Sequence, residues 1–125
     1  MRETILIVDD EESISFALRA YLQRAGYAVD VASGLAEAKA KVDLASYQLV
    51  ISDLRLTDLR DDEGFELLSY LRANHPATRT LLLSAYLGPQ ALAESALRGA
   101  SLVLPKPQAL AKLREHISRL LEIAP

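Results

Sequence analysis

The chain contains no cysteine and no tryptophan, and one methionine among 125 residues. Without thiols there is no disulfide and no thiolate metal site, which fits a reducing compartment. Glycine and proline are sparse, five of each, so neither a collagen-like nor a low-complexity chain is in view. Charge of one sign is lacking as well: 14 Lys and Arg stand against 17 Asp and Glu, a net charge of −3. That balance offers no footprint for nucleic acid or for an anionic lipid surface. No apolar run approaches the about 20 residues that span a bilayer. Met1-Arg2-Glu3-Thr4 leads into a short strand-like run, not into the long apolar core of a secretory leader. The expectation is a cytoplasmic domain that binds neither membrane nor nucleic acid.

What is present is a core. Half of the chain is apolar, enough for one domain over residues 1–125. Strand-like and helix-like patterns alternate five times. Thr4 to Asp9 is a continuous apolar run of the kind buried on both faces of a parallel sheet. Ser13 to Ala25 follows, with Ile14, Ala17, Leu18, Tyr21, Leu22 and Ala25 at helical spacing and Gly26 as its stop. Further strands are expected at Tyr27–Ala32, Gln48–Asp53, Arg79–Ser84 and Leu102–Leu104. Further helices are expected at Leu35–Leu44 (Ser33 or Gly34 at its start), Gly64–Asn74, Gly88 to about Arg98 with Gly99 as its stop, and Gln108–Ile123.

Strict alternation with apolar strands predicts a doubly wound α/β fold, a parallel sheet with helices on both faces. Ligands of such sheets bind beyond the carboxyl ends of the strands, near the point where strand order reverses. Polar residues arrive at those ends. Asp9 and Asp10 follow Ile5-Leu6-Ile7-Val8, Asp53 follows Leu49-Val50-Ile51-Ser52, Ser84 follows Leu81-Leu82-Leu83, and Lys106 follows Leu102-Val103-Leu104-Pro105. Asp9-Asp10-Glu11-Glu12 alone also reads as an acidic first helical turn. With Asp53 and Lys106 brought to the same edge, it reads as part of a site. Three carboxylates in one crevice repel, which a divalent cation relieves; oxygen-only donors suit Mg²⁺, and an ammonium beside them suits a phosphoryl group.

Ile7-Val8-Asp9-Asp10-Glu11, the run Leu49 to Leu54 around Asp53, Leu83-Ser84-Ala85 and Lys106-Pro107 resemble, in order and spacing, the receiver domain of two-component response regulators. The resemblance covers essentially the whole chain. It implies a single (βα)5 domain with five parallel strands in the order 2-1-3-4-5. Asp53 would be the phosphoacceptor, served by a sensor histidine kinase or a phosphotransfer protein. Asp10 would ligate Mg²⁺ directly, Asp9 would support it through water, and Asp53 and the main-chain carbonyl of Arg55 would complete the protein's share. Ser84 and Lys106 would hold phosphoryl oxygens, and the Lys106–Pro107 peptide would be cis. The result would be a signalling domain, not an enzyme, that assists its own phosphorylation and dephosphorylation. It would switch a surface near the fourth and fifth helices toward a downstream output domain or protein.

Three positions depart from the family pattern. Val103 stands where an aromatic switch residue is usual; it either fills a strand position or marks a signal leaving by another surface. The stretch after Asp53 is about three residues longer than usual and carries Asp58, Asp61, Asp62 and Glu63, read as a solvated acidic loop, with Gly64 as the family's glycine. Arg55 and Tyr86, two residues beyond Asp53 and Ser84, are placed to shield an acyl phosphate from water.

His75 and His116 have no metal-ligand partner at i+4 and read as surface residues. Tyr21 and Phe65 read as core. Ala91, Leu92, Ala93, Ala96 and Leu97 give the fourth helix more apolar surface than one buried face needs, either as a homodimer or partner face or as ordinary exposed alanine. Two other readings stand beside the receiver. One is an interaction module of the same fold that signals without phosphorylation. The other is an aspartate-nucleophile phosphohydrolase of the haloacid-dehalogenase type, whose general acid, two residues after the nucleophile, is here Arg55, a cation unable to act as one.

Overall fold

A computed structural model describes residues 3–54, 63–85 and 88–122. Five strands, β1 (Thr4–Val8), β2 (Ala28–Ala32), β3 (Leu49–Asp53), β4 (Arg79–Ser84) and β5 (Leu102–Pro105), alternate with five helices, α1 (Glu12–Arg24), α2 (Leu35–Leu44), α3 (Glu63–Asn74), α4 (Pro89–Leu97) and α5 (Leu110–Glu122). The strands form one parallel sheet in the order β2-β1-β3-β4-β5. The expected elements are all present, with ends displaced by at most about two residues, the usual uncertainty at helix and strand termini.

Side-chain alternation along the strands divides the core. Ile5, Ile7, Leu49, Ile51, Leu81 and Leu83 meet Leu18 and Leu22 of α1 and Leu113, Ile117 and Leu120 of α5. The intervening residues Leu6, Val8 and Val50 meet Ala38 and Val42 of α2 and Leu67 and Leu71 of α3. Leu82 and Val103 continue that second face toward Leu68 and Ala91. Strands covered on both sides carry continuous apolar runs (Ile5–Val8, Leu49–Ile51, Leu81–Leu83), which explains their lack of polar alternation. Val103 lies opposite Leu82 in the ladder and packs into this layer.

Gly26 ends α1 at φ +105°, the left-handed geometry that suits a residue without Cβ. Gly64 is needed for another reason. A Cβ there would stand 2.6 Å from the Leu54 Cα, while the Gly64 N–H donates to the Leu54 carbonyl at 2.8 Å. This close approach seats the start of α3 against the end of β3, directly behind Asp53.

Some side chains lie elsewhere than the patterns predict. On α1, Ser15 is buried and Ala17 exposed, and Phe16 is 73% exposed. Glu63, expected in a solvated loop, is buried as the first residue of α3, where a carboxylate meets the positive end of the helix. Asp58, Asp61 and Asp62, like Tyr86, lie outside the described residues. His75 is half-buried and its Nε2 lies 2.8 Å from Asp43 Oδ1; the Tyr70 hydroxyl donates to the other oxygen of the same carboxylate. His116 is also half-buried. Tyr21 and Phe65 pack at the margins of the core, as expected, and Phe65 lies beneath the Arg98 guanidinium at 5.4 Å. Leu92 and Leu97 are exposed on α4.

Candidate functional site

The sheet register brings the polar ends together. Val8 pairs with Ser52, Asp53 with Leu83, and Ser84 with Pro105, so β1, β3, β4 and β5 terminate at one edge. Asp53 is the last residue of β3, and the next residue's N–H donates to the Leu83 carbonyl, holding the strand end to β4. Asp9 follows β1; its N–H donates to Ala32 and its Oδ1 accepts from the Glu11 N–H at 2.9 Å, an Asx-type turn that starts α1. The Lys106 N–H donates to the Ser84 carbonyl at 2.7 Å, so the residue after β5 is anchored to the end of β4. The Lys106–Pro107 peptide is cis.

From this frame the Lys106 ammonium reaches inward. It donates to Asp53 Oδ2 at 2.6 Å and lies 3.6 Å from Asp9 Oδ2. All three side chains are largely withdrawn from solvent. Burial pushes the Asp9 carboxyl above its ordinary pKa, against the lowering effects of the Glu11 N–H and the Lys106 charge. Burial also pulls the Lys106 ammonium down, but its hydrogen bond to Asp53 and the charges of Asp53 and Asp9 outweigh that and leave its pKa above the ordinary value. The ammonium is held charged between two carboxylates.

Ser84 is buried at the end of β4. Asp10 is exposed one residue beyond Asp9, near enough for its charge to raise the Asp9 pKa. Arg55 lies outside the described residues. Among the described residues, no group of three His, Cys, Asp or Glu side chains forms a ready metal cage. Mg²⁺ does not require one, because it keeps several waters and takes only one or two carboxylates from a protein. The oxygen donors of Asp9, Asp10 and Asp53 fit that demand.

The model of the response regulator receiver domain matches residues 5–118. The chain belongs to this family. The receiver domain is 30% identical over 122 residues to the response regulator protein PilR of Pseudomonas aeruginosa, a match that takes in 98% of this chain and 27% of PilR. It thus spans about a quarter of that relative's length. Its fold matches the CheY-like response regulator receiver domain protein from Methanospirillum hungatei with a TM-score of 0.91 at 29% identity, covering 98% of this chain and 95% of that one. It also matches a response regulator from Burkholderia pseudomallei, solved with a phosphorylated aspartic acid, a calcium ion and citrate, with a TM-score of 0.81 at 25% identity over 98% of this chain and 75% of that one.

Sequence reasoning placed Asp53, Asp9 and Lys106 at one edge of the receiver domain, and the structure brings these three into contact. It missed the Asp43–Tyr70–His75 cluster. The sole sequence signal there was three polar residues near the ends of two neighbouring helices, too common a pattern to single out.

Proposed function

We propose that this receiver domain takes a phosphoryl group on Asp53 from a sensor histidine kinase or a phosphotransfer protein. The observation that carries the reading is the Lys106 ammonium, 2.6 Å from Asp53 Oδ2 at the carboxyl edge of the sheet. An Asp53 carboxylate oxygen attacks phosphorus, the phosphorus–nitrogen bond of the donor phosphohistidine breaks, and the imidazole leaves. Charge accumulates on the phosphoryl oxygens in that passage, so a fixed, desolvated cation beside the acceptor stabilises it. Ser84, last in β4, holds another phosphoryl oxygen. Asp10, Asp9, Asp53 and the main-chain carbonyl of Arg55 would hold Mg²⁺, which supplies further positive charge at the phosphoryl group.

The phosphorylated aspartic acid in the Burkholderia pseudomallei relative supports this chemistry, and its calcium ion is in keeping with a site for a divalent cation. PilR, a longer response regulator, supports a downstream output domain or protein as the recipient of the signal. The exposed leucines of α4 supply an apolar surface for that partner or for a homodimer. Among the described residues no helix is long and apolar enough to cross a membrane, in keeping with a cytoplasmic site of action. Val103, packed inward between Leu82 and α3, supports transmission of the signal by means other than an aromatic switch.

The test is intact mass after incubation with acetyl phosphate, with and without Mg²⁺, on wild type and Asp53→Asn. The expected outcome is a Mg²⁺-dependent gain of one phosphoryl group, absent in the variant. Lys106→Ala should slow the gain about 100-fold, the usual cost of removing one charge-stabilising group. Failure of wild type with both acetyl phosphate and a phosphorylated protein donor would leave a receiver-fold interaction module that signals without phosphorylation.

A further inference from the structure

Lys106 stands just past β5, and β5 is an edge strand, paired with β4 alone. One trans peptide unit joins Pro105 to Lys106. Its N–H, that of Lys106, donates to the Ser84 carbonyl of β4 at 2.7 Å. In a trans peptide the carbonyl points the opposite way. The Pro105 carbonyl therefore faces the side of β5 where no further strand follows. There the Gln108 side-chain amide donates to it, also at 2.7 Å. The unit that carries the Lys106 Cα is thus gripped at both ends, each time by a hydrogen bond at the short end of the N–H···O range. Gln108 lies just before α5 begins at Leu110, yet its amide turns back to the strand.

We infer that Gln108 is a positioning residue for Lys106, fixing the base of the lysine side chain so that its ammonium meets Asp53 and Asp9. The four-carbon lysine stem is flexible. The ammonium contacts at 2.6 and 3.6 Å hold only its far end. During transfer that far end exchanges partners, as charge moves from Asp53 onto the phosphoryl oxygens. The base keeps its partners throughout, and Gln108 is one of the two. A displacement at the base carries through to the ammonium, and a misplaced catalytic group is costly in rate. Pro105 is exposed, so water donates to its carbonyl once the amide is removed; geometry is lost and the fold is kept. The effect on transfer rests on the phosphoacceptor reading above; the placement of the ammonium does not.

The experiment compares wild type with Gln108→Met, which keeps the length of the stem and removes its donor, and with Gln108→Ala. The first readout is exchange of the Lys106 ammonium protons with water, followed in ¹H–¹⁵N correlation spectra without Mg²⁺ or phosphodonor. The chain has four lysines, and the Lys106 signal is the one lost in Lys106→Ala. Exchange should quicken about fivefold in both variants, the usual worth of one neutral hydrogen bond. The second readout is the rate of phosphoryl gain from acetyl phosphate with Mg²⁺, by intact mass. Gln108→Met should slow it about fivefold to tenfold. In a Lys106→Ala background the same substitution should slow it less than about twofold, because a residue that acts through Lys106 then has nothing to position. Urea midpoints close to that of wild type show that each variant is folded. Wild-type exchange rates in both variants would overturn the inference. So would equal slowing with and without Lys106, the mark of general damage to the loop. Absence of phosphoryl gain by wild type would instead overturn the acceptor reading, and the exchange readout would still decide the placement of Lys106.

Discussion

Asp53 and Gly64 do opposite work at the same strand end. Asp53 presents a charge to the crevice, while Gly64 lets α3 start against the main chain of Leu54 from behind. Main chain against main chain cannot yield as a flexible side-chain tip can. Gly64→Ala should therefore destabilise the fold by about 1–3 kcal/mol, the usual cost of overpacking a close contact, read as a lowered urea midpoint with an unchanged m-value. Asp53 was visible in the sequence because a lone acid ending an apolar run has few structural reasons to be there. The constraint on Gly64 was not, because its steric neighbour is ten residues away across a segment whose path no local pattern gives.

At the scale of elements, α2 and α3 are joined along their lengths by polar contacts. Asp43 of α2 accepts from the Tyr70 hydroxyl of α3 and bonds His75 just beyond it. Lys39 pairs with Glu66 at 3.0 Å and lies 5.1 Å from the Tyr70 ring centre. The hydrogen bond from Tyr70, and then that of His75, hold the Asp43 carboxyl below its ordinary pKa of 3.8. A carboxylate with a lowered folded pKa stabilises the fold fully above its unfolded value and loses that contribution as pH falls through the folded one. Wild type should therefore lose stability below about pH 4 relative to Asp43→Asn, which carries no titrating group there. Chemical denaturation across pH 2.5 to 6 on the two proteins checks this; parallel curves would remove the cluster from the acid response. The periodicity of α2 and α3 was legible in part, through Ala38 and Val42 and through Leu67 and Leu71. Their polar seam was not, since its members are 27 and 32 residues apart.

The whole molecule is a sheet with a core on each face, and α5 closes one of them through Leu113, Ile117 and Leu120. Ile117 is completely buried against that face. Ile117→Ala should cost about 2–5 kcal/mol, the range for deleting a large aliphatic side chain from a packed interior, and should still unfold in one cooperative transition. A separate early transition confined to α5 would show that the two faces do not support one another.

Strand and helix alternation, the parallel sheet and the convergence of Asp9, Asp53 and Lys106 could be read from the residues alone. Each follows from short-range regularity: apolar runs buried on both faces, helical spacing between them, and a polar residue wherever a buried strand reaches its end. Folding was needed to set three other things. The burial of Glu63 and the Asp43–Tyr70–His75 cluster depend on how neighbouring helices and strand ends meet. A cavity of about 380 Å³ between α1 and α5 depends on how closely two helices more than 80 residues apart settle on one face of the sheet. Such distances are the sum of many packing contacts between side chains remote in sequence, and no local pattern encodes them.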